Sequence, residues 1–525
     1  MLSQQATQRA AQPTTEPVPL SAPLGGWNTR DPIEAMQATD AITLDNWYPD
    51  IAGVTVRKGN NIFCDTTTGL PVYSLLPYQS GSTHKLIAAS GGTLWDITTQ
   101  NPVELKAGYA SDKWQSTNFN GHLFAANGVD NLQDYNGTTI GDSTFSGTTL
   151  SEFVDCGSFH NRMYLWKSAE AGFWYGPTDG ITGALAFFDF SMIIGDGGNL
   201  ITVQPFSYDG GQGISSYTVF VFDTGTMLLY SGSDPSNASN WTLVGIYTIG
   251  VPLSRRSFAR SGGDIYLTTF QDHLKLSVII TSLAQGLQVP LSKASGAVSS
   301  AAQVGSAIYG WDAVYFPNGR RVIFNVPEID GTFSQHVLNT TTNAWCRFRN
   351  LNGLSWQIYN GGVYWGAANG VVYQGGVGTT DIFSETMPPW DTSPWDVTPW
   401  AIPNVNSIRA VGQQAWTTLN NQQNKRVAMM RAVISSIGTI NVQAGLGFDY
   451  VTPILPTATV TLDQGSPWDI SPWDTSPWGG GPVAFNDWEV VGGYGTAISV
   501  NINVNAVQQI SWVRTDLRLE QGQAL

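Results

Sequence analysis

At 525 residues, with 12% charged residues, a net charge of −15 and 20 tryptophans, the chain departs from ordinary soluble domains, which carry about 25% charge. Hydrophobic residues make up 42%, so the missing charge is replaced by Gly, Ser, Thr, Asn and Gln. This balance excludes coiled coils and helical bundles, disordered chains poor in aromatics, collagen-like repeats and a basic nucleic-acid grip. The length allows roughly two or three domains. Cys64, Cys156 and Cys346 are far apart, odd in number and without CxxC spacing, which argues against a disulfide framework or a metal site and for buried small hydrophobes. No run approaches the roughly 18 apolar residues of a membrane span, and the first residues lack an apolar signal core. The expectation is a product assembled in the cytoplasm with no stable membrane insertion.

In chain order, residues 1–22 read as a polar arm. Residues 23–64 read as a first β segment joining the domains. Within it lies an ordered set of residues: Gly26, Asn28, Arg30, Pro32, then Asp40 and Ala41, then Leu44, Asn46, Trp47, Tyr48 and Pro49, then Gly53, Val56, Arg57 and Gly59. Asn-Trp-Tyr-Pro has the character of a strand end with a fixed turn, and Val-Arg-Lys-Gly that of a strand leaving it. Arg30 and Arg57 are expected to pair with Asp31, Asp40 or Asp45.

From 65 to 380 the sequence repeats one plan: an apolar run, a turn of Gly, Asn or Asp, and a second apolar run. It occurs at 82–99, 121–139, 161–179, 215–233, 262–278, 312–326 and 360–376. The second runs recur about every 37 to 55 residues, a period that means a propeller or another array. The sequence predicts a β-propeller-like domain of about six or seven blades, with 331–348 as an outer hairpin; a stack of sandwiches is the rival. Helical character is weak at Pro32–Met36, and 292–305 is small, Gly-broken and not an amphipathic helix. Beyond 380 the strands lengthen, and 499–505 alternates strictly, as a half-buried strand does. The fold class is all-β: the propeller-like domain plus a separate β-sandwich or jelly-roll-like domain over 381–525.

That last region contains two stretches, 388–400 and 466–478, built on Pro-Trp-Asp-x-Ser/Thr at period five. They place Trp390, Trp395 and Trp400, then Trp468, Trp473 and Trp478, with equal offsets of 78 residues. Period five fits neither strand nor helix, while Pro and Asp-x-Ser/Thr favour rigid turned loops. Such aromatics suit a partner or assembly interface; stacking of the loops on each other or on a neighbouring subunit serves as well. Phosphate-loop, HExxH, GxSxG and EF-hand patterns are absent from the sequence. The five histidines, His84, His122, His160, His273 and His336, sit beside predicted strands in different repeats and suit turn hydrogen bonds. The segment 231–241 only weakly matches a sialidase-type Asp turn. Catalytic, metal and cofactor sites are therefore not expected.

The segment 25–60 resembles the opening of short-tailed bacteriophage virion proteins of the tail-nozzle or packaged-DNA-stabilisation (head-to-tail) type. The motif residues Asn28, Arg30, Pro32, Asn46, Trp47, Tyr48, Pro49, Arg57 and Gly59 carry it, with looser similarity over the hairpins and over 496–522; the Pro-Trp-Asp repeats lie outside the pattern. The resemblance implies a non-enzymatic structural virion protein. It would be a propeller subunit of a hexameric ring below the portal and its adaptor, which retains packaged DNA, lines the exit channel for transient, non-specific passage of the duplex, and docks tail fibres or spikes. Its place would be the virion tail, assembled in the bacterial host cytoplasm. An acidic or neutral channel wall would let DNA slide, because each Lys or Arg on a phosphate adds salt-dependent affinity. The alternatives are a receptor-binding module that holds host-surface glycan and, further off, a propeller glycan hydrolase.

Overall fold

The computed structural model describes residues 17–195, 197–209, 214–383, 405–436, 440–453, 455, 458–460, 483–485 and 487–521. Its dominant feature is a ring of seven antiparallel sheets, or blades. Blade I comprises Val72–Ser80, Thr83–Ser90, Thr93–Asp96 and Val103–Ala107. Blades II, III and IV start at Gln115–Phe119, Phe153–Phe159 and Leu200–Asp209, and each adds three further strands. Blade V has three strands, Phe258–Ser261, Asp264–Thr268 and His273–Lys275. Blade VI runs from Asp312–Phe316 to Trp345–Phe348. Blade VII takes three strands from Ser355–Tyr359 to Val371–Gly375 and a fourth, Asn60–Asp65, from far upstream. That upstream strand, with Cys64 opposite Val372, closes the ring. The first strands of all seven blades line one axial cavity.

The repeated apolar runs have a physical basis in this arrangement. Each sheet is covered on both faces by its neighbours, so successive side chains enter different cores. Leu86 and Ala88 pack with blade VII while Ile87 and Ala89 pack with blade II. Likewise Tyr164 and Trp166 face blade IV, whereas Met163 and Leu165 face blade II. First and second strands meet in tight turns at Asn120–Gly121 and Asn360–Gly361, where both residues have positive φ; Asn-Gly tolerates this conformation and its twist matches the strands. Most of the sequence hairpins are the second and third strands of a blade. The pair at 312–326 is instead the first and second of blade VI, with 333–348 forming the outer two.

A two-layer β-sandwich abuts the ring. One layer joins Val18–Ser21, Trp47–Pro49 and Val54–Val56 to Lys425–Ser436, Val483–Phe485, Glu489–Gly495 and Ile510–Gln521. The other joins Gly26–Trp27 and Asp40–Asp45 to Ile408–Gln414, Ile440–Phe448, Ala458–Val460 and Ile498–Ala506. Val500, Ile502 and Val504 are buried, as their alternation predicts, but Asn501 is buried too and Asn505 is exposed. The sandwich is neither confined to 381–525 nor separate. Residues 18–56 supply strands to both layers, and Asp45 pairs in parallel with Arg347, so the second layer continues blade VI as one ten-stranded sheet.

Two α-helices are present among the described residues: α1 (Leu276–Ala284) and α2 (Ser295–Gly305). The hairpin expected at 262–278 forms, with its last three residues entering α1, whereas α2 stands where the sequence shows only a small, Gly-broken stretch and no amphipathic helix. For α2 tertiary packing overrides weak propensity. Ala294, Val298 and Ala302 recur at four-residue spacing with no exposed surface. A Cβ at Gly296 would collide with the carbonyl of Thr29, so the glycine permits close approach of the helix to the N-terminal segment. Pro32–Met36 is an exposed turn.

Candidate functional site: N-terminal junction and axial cavity

The sequence motif folds into a junction where blades VI and VII meet the sandwich. Asn28 is buried; its Nδ2 donates to Asp31 (2.9 Å) and Asp40 (2.8 Å), and its Oδ1 accepts from the backbone N–H of Arg30 and Asp31. Arg30 forks onto Asp31 (2.8 and 2.9 Å) and reaches the carbonyl of Leu291. Its guanidinium, with the Asn28 amide, holds the Asp31 carboxyl down to about 2. Pro32 starts the exposed turn, closed by Ala35 N–H donating to the Pro32 carbonyl.

Asn46 adopts a left-handed φ of 59° and binds three segments at once. Its Oδ1 accepts from Arg57 Nε (2.9 Å) and from the N–H of Arg349 (2.9 Å), and its Nδ2 donates to the carbonyl of Arg409 (2.8 Å). Trp47 has no exposed surface and meets Trp512 edge to face at 6.2 Å. Tyr48 lies 4.4 Å under the Arg321 guanidinium, and burial pushes its hydroxyl up to about 12. The carbonyl of Pro49 accepts from Asn339. A Cβ at Gly59 would enter the Thr380 backbone.

Arg57 is the centre of this junction. It forms a bidentate pair with Asp381 (2.8 and 2.6 Å), and its remaining donors reach Asn46, the carbonyl of Lys58 and the carbonyl of Arg349. All five guanidinium N–H groups are thereby used. The side chains of Arg57 and Asp381 are 1% and 3% exposed. The structure therefore corrects the expected partners. Arg30 does pair with Asp31, but Arg57 takes Asp381, Asp45 takes Arg347 and Asp40 takes Lys293. Asp381 lies 324 residues beyond Arg57, a separation that no local pattern reveals. Every donor of the Arg57 guanidinium is satisfied by protein acceptors.

The six repeat tryptophans, Trp390, Trp395, Trp400, Trp468, Trp473 and Trp478, lie outside the described residues. The flanks of the first segment extend the sheet of blade VII, and those of the second lie in the two layers of the sandwich. Asp381 and Ile382 pair with Asn406 and Val405. Ile440 pairs with Val460, and Ser436 pairs with both Val483 and Ile510. Ile408 pairs with Ala506, and the Thr379 hydroxyl donates to the carbonyl of Val507.

The axial cavity is the second feature, and sequence reasoning missed it. It has a volume of about 440 Å3, within the usual range of small-ligand sites. Five charged side chains line it: Arg255, Arg256, Arg260, Asp155 and Asp312. Arg256 is committed to Asp312 (2.8 Å), the Tyr73 carbonyl and the Tyr309 hydroxyl. Arg255 donates to the carbonyl of Val154 (3.1 Å), and Arg260 donates from Nε to Gln204 (3.0 Å). Neither pairs with a carboxylate among the described residues; Arg255 is partly buried and Arg260 is exposed to the cavity. Burial drives Asp155 up to about 7, against the pull of the three arginines. The only sequence signal is the Arg-Arg-x-x-x-Arg run at 255–260, whose partners come from other blades.

His122 bonds Asp134 (2.6 Å) and His160 lies 3.3 Å from Thr218. His273 and His336 bond each other at 3.0 Å in a core with Phe324 and Trp345. The Asp234 turn of 231–241 holds Ser236 and pairs with Arg162 of blade III.

No family model matches the chain, and no curated protein matches it. Similar solved structures include the computationally designed Ika8 protein, at 11% identity and a TM-score of 0.36, covering 63% of this chain and 96% of that one. BamB from Moraxella catarrhalis has 11% identity and a TM-score of 0.35, covering 62% and 92%. Sqt1 from Saccharomyces cerevisiae has 12% identity and a TM-score of 0.37, covering 60% and 98%. The chain's own sheet pairings define its fold.

Proposed function

We propose that the chain is a structural subunit of a short-tailed bacteriophage tail, a nozzle protein that assembles as a six-membered ring below the portal and adaptor. There it retains packaged DNA, forms the exit channel and docks fibres or spikes. The observation that carries the reading is the Arg57 junction. Two of the residues that bear the resemblance, Asn46 and Arg57, meet in it, and it fastens two blades to a sandwich whose sheet continues blade VI. A subunit that resists the load of packaged DNA benefits from parts that move as one body.

The axial cavity of a single subunit, at about 440 Å3, is small-molecule sized, so the DNA passage belongs between copies. The acid excess of the chain, 39 Asp and Glu against 24 Lys and Arg, favours a duplex that slides without sticking. The tryptophans of the two Pro-Trp-Asp segments suit a docking or assembly surface. Replacement of Trp390, Trp395 and Trp400 by Ala tests this: impaired ring formation or partner binding is expected, and unchanged assembly and binding would refute it. The glycan-binding alternative predicts saccharide-dependent quenching of tryptophan fluorescence, and hydrolysis predicts released reducing ends; a nozzle gives neither.

A further inference from the structure

We propose that the axial cavity is a binding site for a small oxyanion such as phosphate, held by Arg255 and Arg260. The argument starts from donor accounting. A guanidinium carries five N–H donors. Arg57, the structural arginine, uses all five on protein acceptors. Arg255 and Arg260 each make one hydrogen bond among the described residues, to the Val154 carbonyl and to Gln204. Both line the same water-accessible space.

Charge accounting points the same way. Asp312 is consumed by Arg256 through the 2.8 Å pair. Two guanidiniums then face a single remaining carboxyl, Asp155, which itself donates nothing when ionised and accepts the N–H of Cys156 at 2.7 Å. Arg255 is partly buried and Arg260 is exposed to the cavity, so their remaining donors face water there, and an anion would replace that water with charge-assisted hydrogen bonds. Arginine forks match the geometry of phosphate and carboxylate oxygens. The same excess of positive charge disfavours a metal cation. The volume of about 440 Å3 suits a small ligand and excludes a nucleic-acid duplex or a folded partner. The lining comes from the first strands of all seven blades, so a bound anion would tie the ring together at its axis.

The test is a calorimetric titration of inorganic phosphate into the full chain at pH 8, with ionic strength held constant by sodium chloride. One saturable site per chain is expected. Arg255→Gln and Arg260→Gln each weaken binding about tenfold, because each removes charge-assisted hydrogen bonds. Arg426→Gln, on an exposed pair with Glu520, leaves affinity unchanged. Asp155→Asn strengthens binding by removing the opposing carboxylate. Absence of a saturable signal overturns the proposal, as does equal affinity in the two arginine variants. If those variants fail to fold, unchanged or weaker binding by Asp155→Asn overturns it instead.

Discussion

Arg57 and Asp381 show what a buried ion pair does when every donor is met. Desolvation opposes such a pair, and its value lies in geometry: the guanidinium fixes the positions of residues 46, 58, 349 and 381 together. Removal of one partner leaves a buried charge uncompensated, at a cost of about 3–5 kcal/mol. Arg57→Gln and Asp381→Asn are each expected to lower the unfolding free energy, read from denaturant titrations, by an amount of that order. The double variant should lose less than the sum of the two, since the second change relieves the charge orphaned by the first. The His273–His336 pair sets a pH dependence. Burial, with Arg347 and Arg349, brings His336 down to about 3, and burial takes His273 well below its ordinary value. Unfolded histidine titrates near 6.5, so between about pH 3 and 6.5 the unfolded chain binds more protons and stability rises with pH. The contribution is complete above about 6.5 and is lost as the pH falls. Asp155, raised to about 7, acts oppositely: its contribution is present below about 3.9 and is lost as pH rises through 7. Urea midpoints measured across this range should show a shallower acid limb in His273→Gln/His336→Gln, and Asp155→Asn should remove the opposing slope.

At the scale of elements, the blade hairpins were legible because each combines an apolar run with a turn residue that has a stated conformational role, as at Gly91–Gly92 with φ of 66° and 71°. Strand closure was not legible, because Asn60–Asp65 pairs with a strand some 300 residues away and its own text offers only a short apolar run. The helix α2 was hidden because its buried face is Ala and Val and its glycine serves contact with Thr29. The motif at 26–59 was visible, but its partners Asp381, Arg349 and Arg409 were not. The axial arginines escaped for the same reason: a cavity made by seven strands has no signature in any one of them. The closure itself can be tested. Cys64 stands opposite Val372, and antiparallel partners have Cα separations of about 4.5–5.5 Å, inside the range that a disulfide spans. Val372→Cys is expected to form an intrachain disulfide with Cys64 on oxidation, seen as a mobility shift on a non-reducing gel. Both positions are buried, so the oxidation is carried out during refolding, and persistence of both thiols after it would contradict the pairing.

At the scale of the molecule, the low charge and the tryptophan surplus acquire separate explanations. Many aromatics are spent inside, in the interblade layers around Phe173, Phe190, Phe220, Tyr230 and Trp241, where paired rings add to area burial. Six further tryptophans belong to the two repeat segments, which leave the described structure from the blade VII sheet and from the two layers of the sandwich. Sparse charge fits a subunit that buries much of its outside against copies of itself, since interface cores are depleted of charged residues. Under the proposed function, the part of the molecule that carries the flanks of those segments is the surface on which copies would assemble. The oligomeric state of the purified full-length chain, measured by electron microscopy together with native mass measurement, tests this account most directly. A six-fold ring with a central passage between subunits is the expected result, and a chain that remains a stable monomer at high concentration and in the presence of portal and adaptor would contradict it.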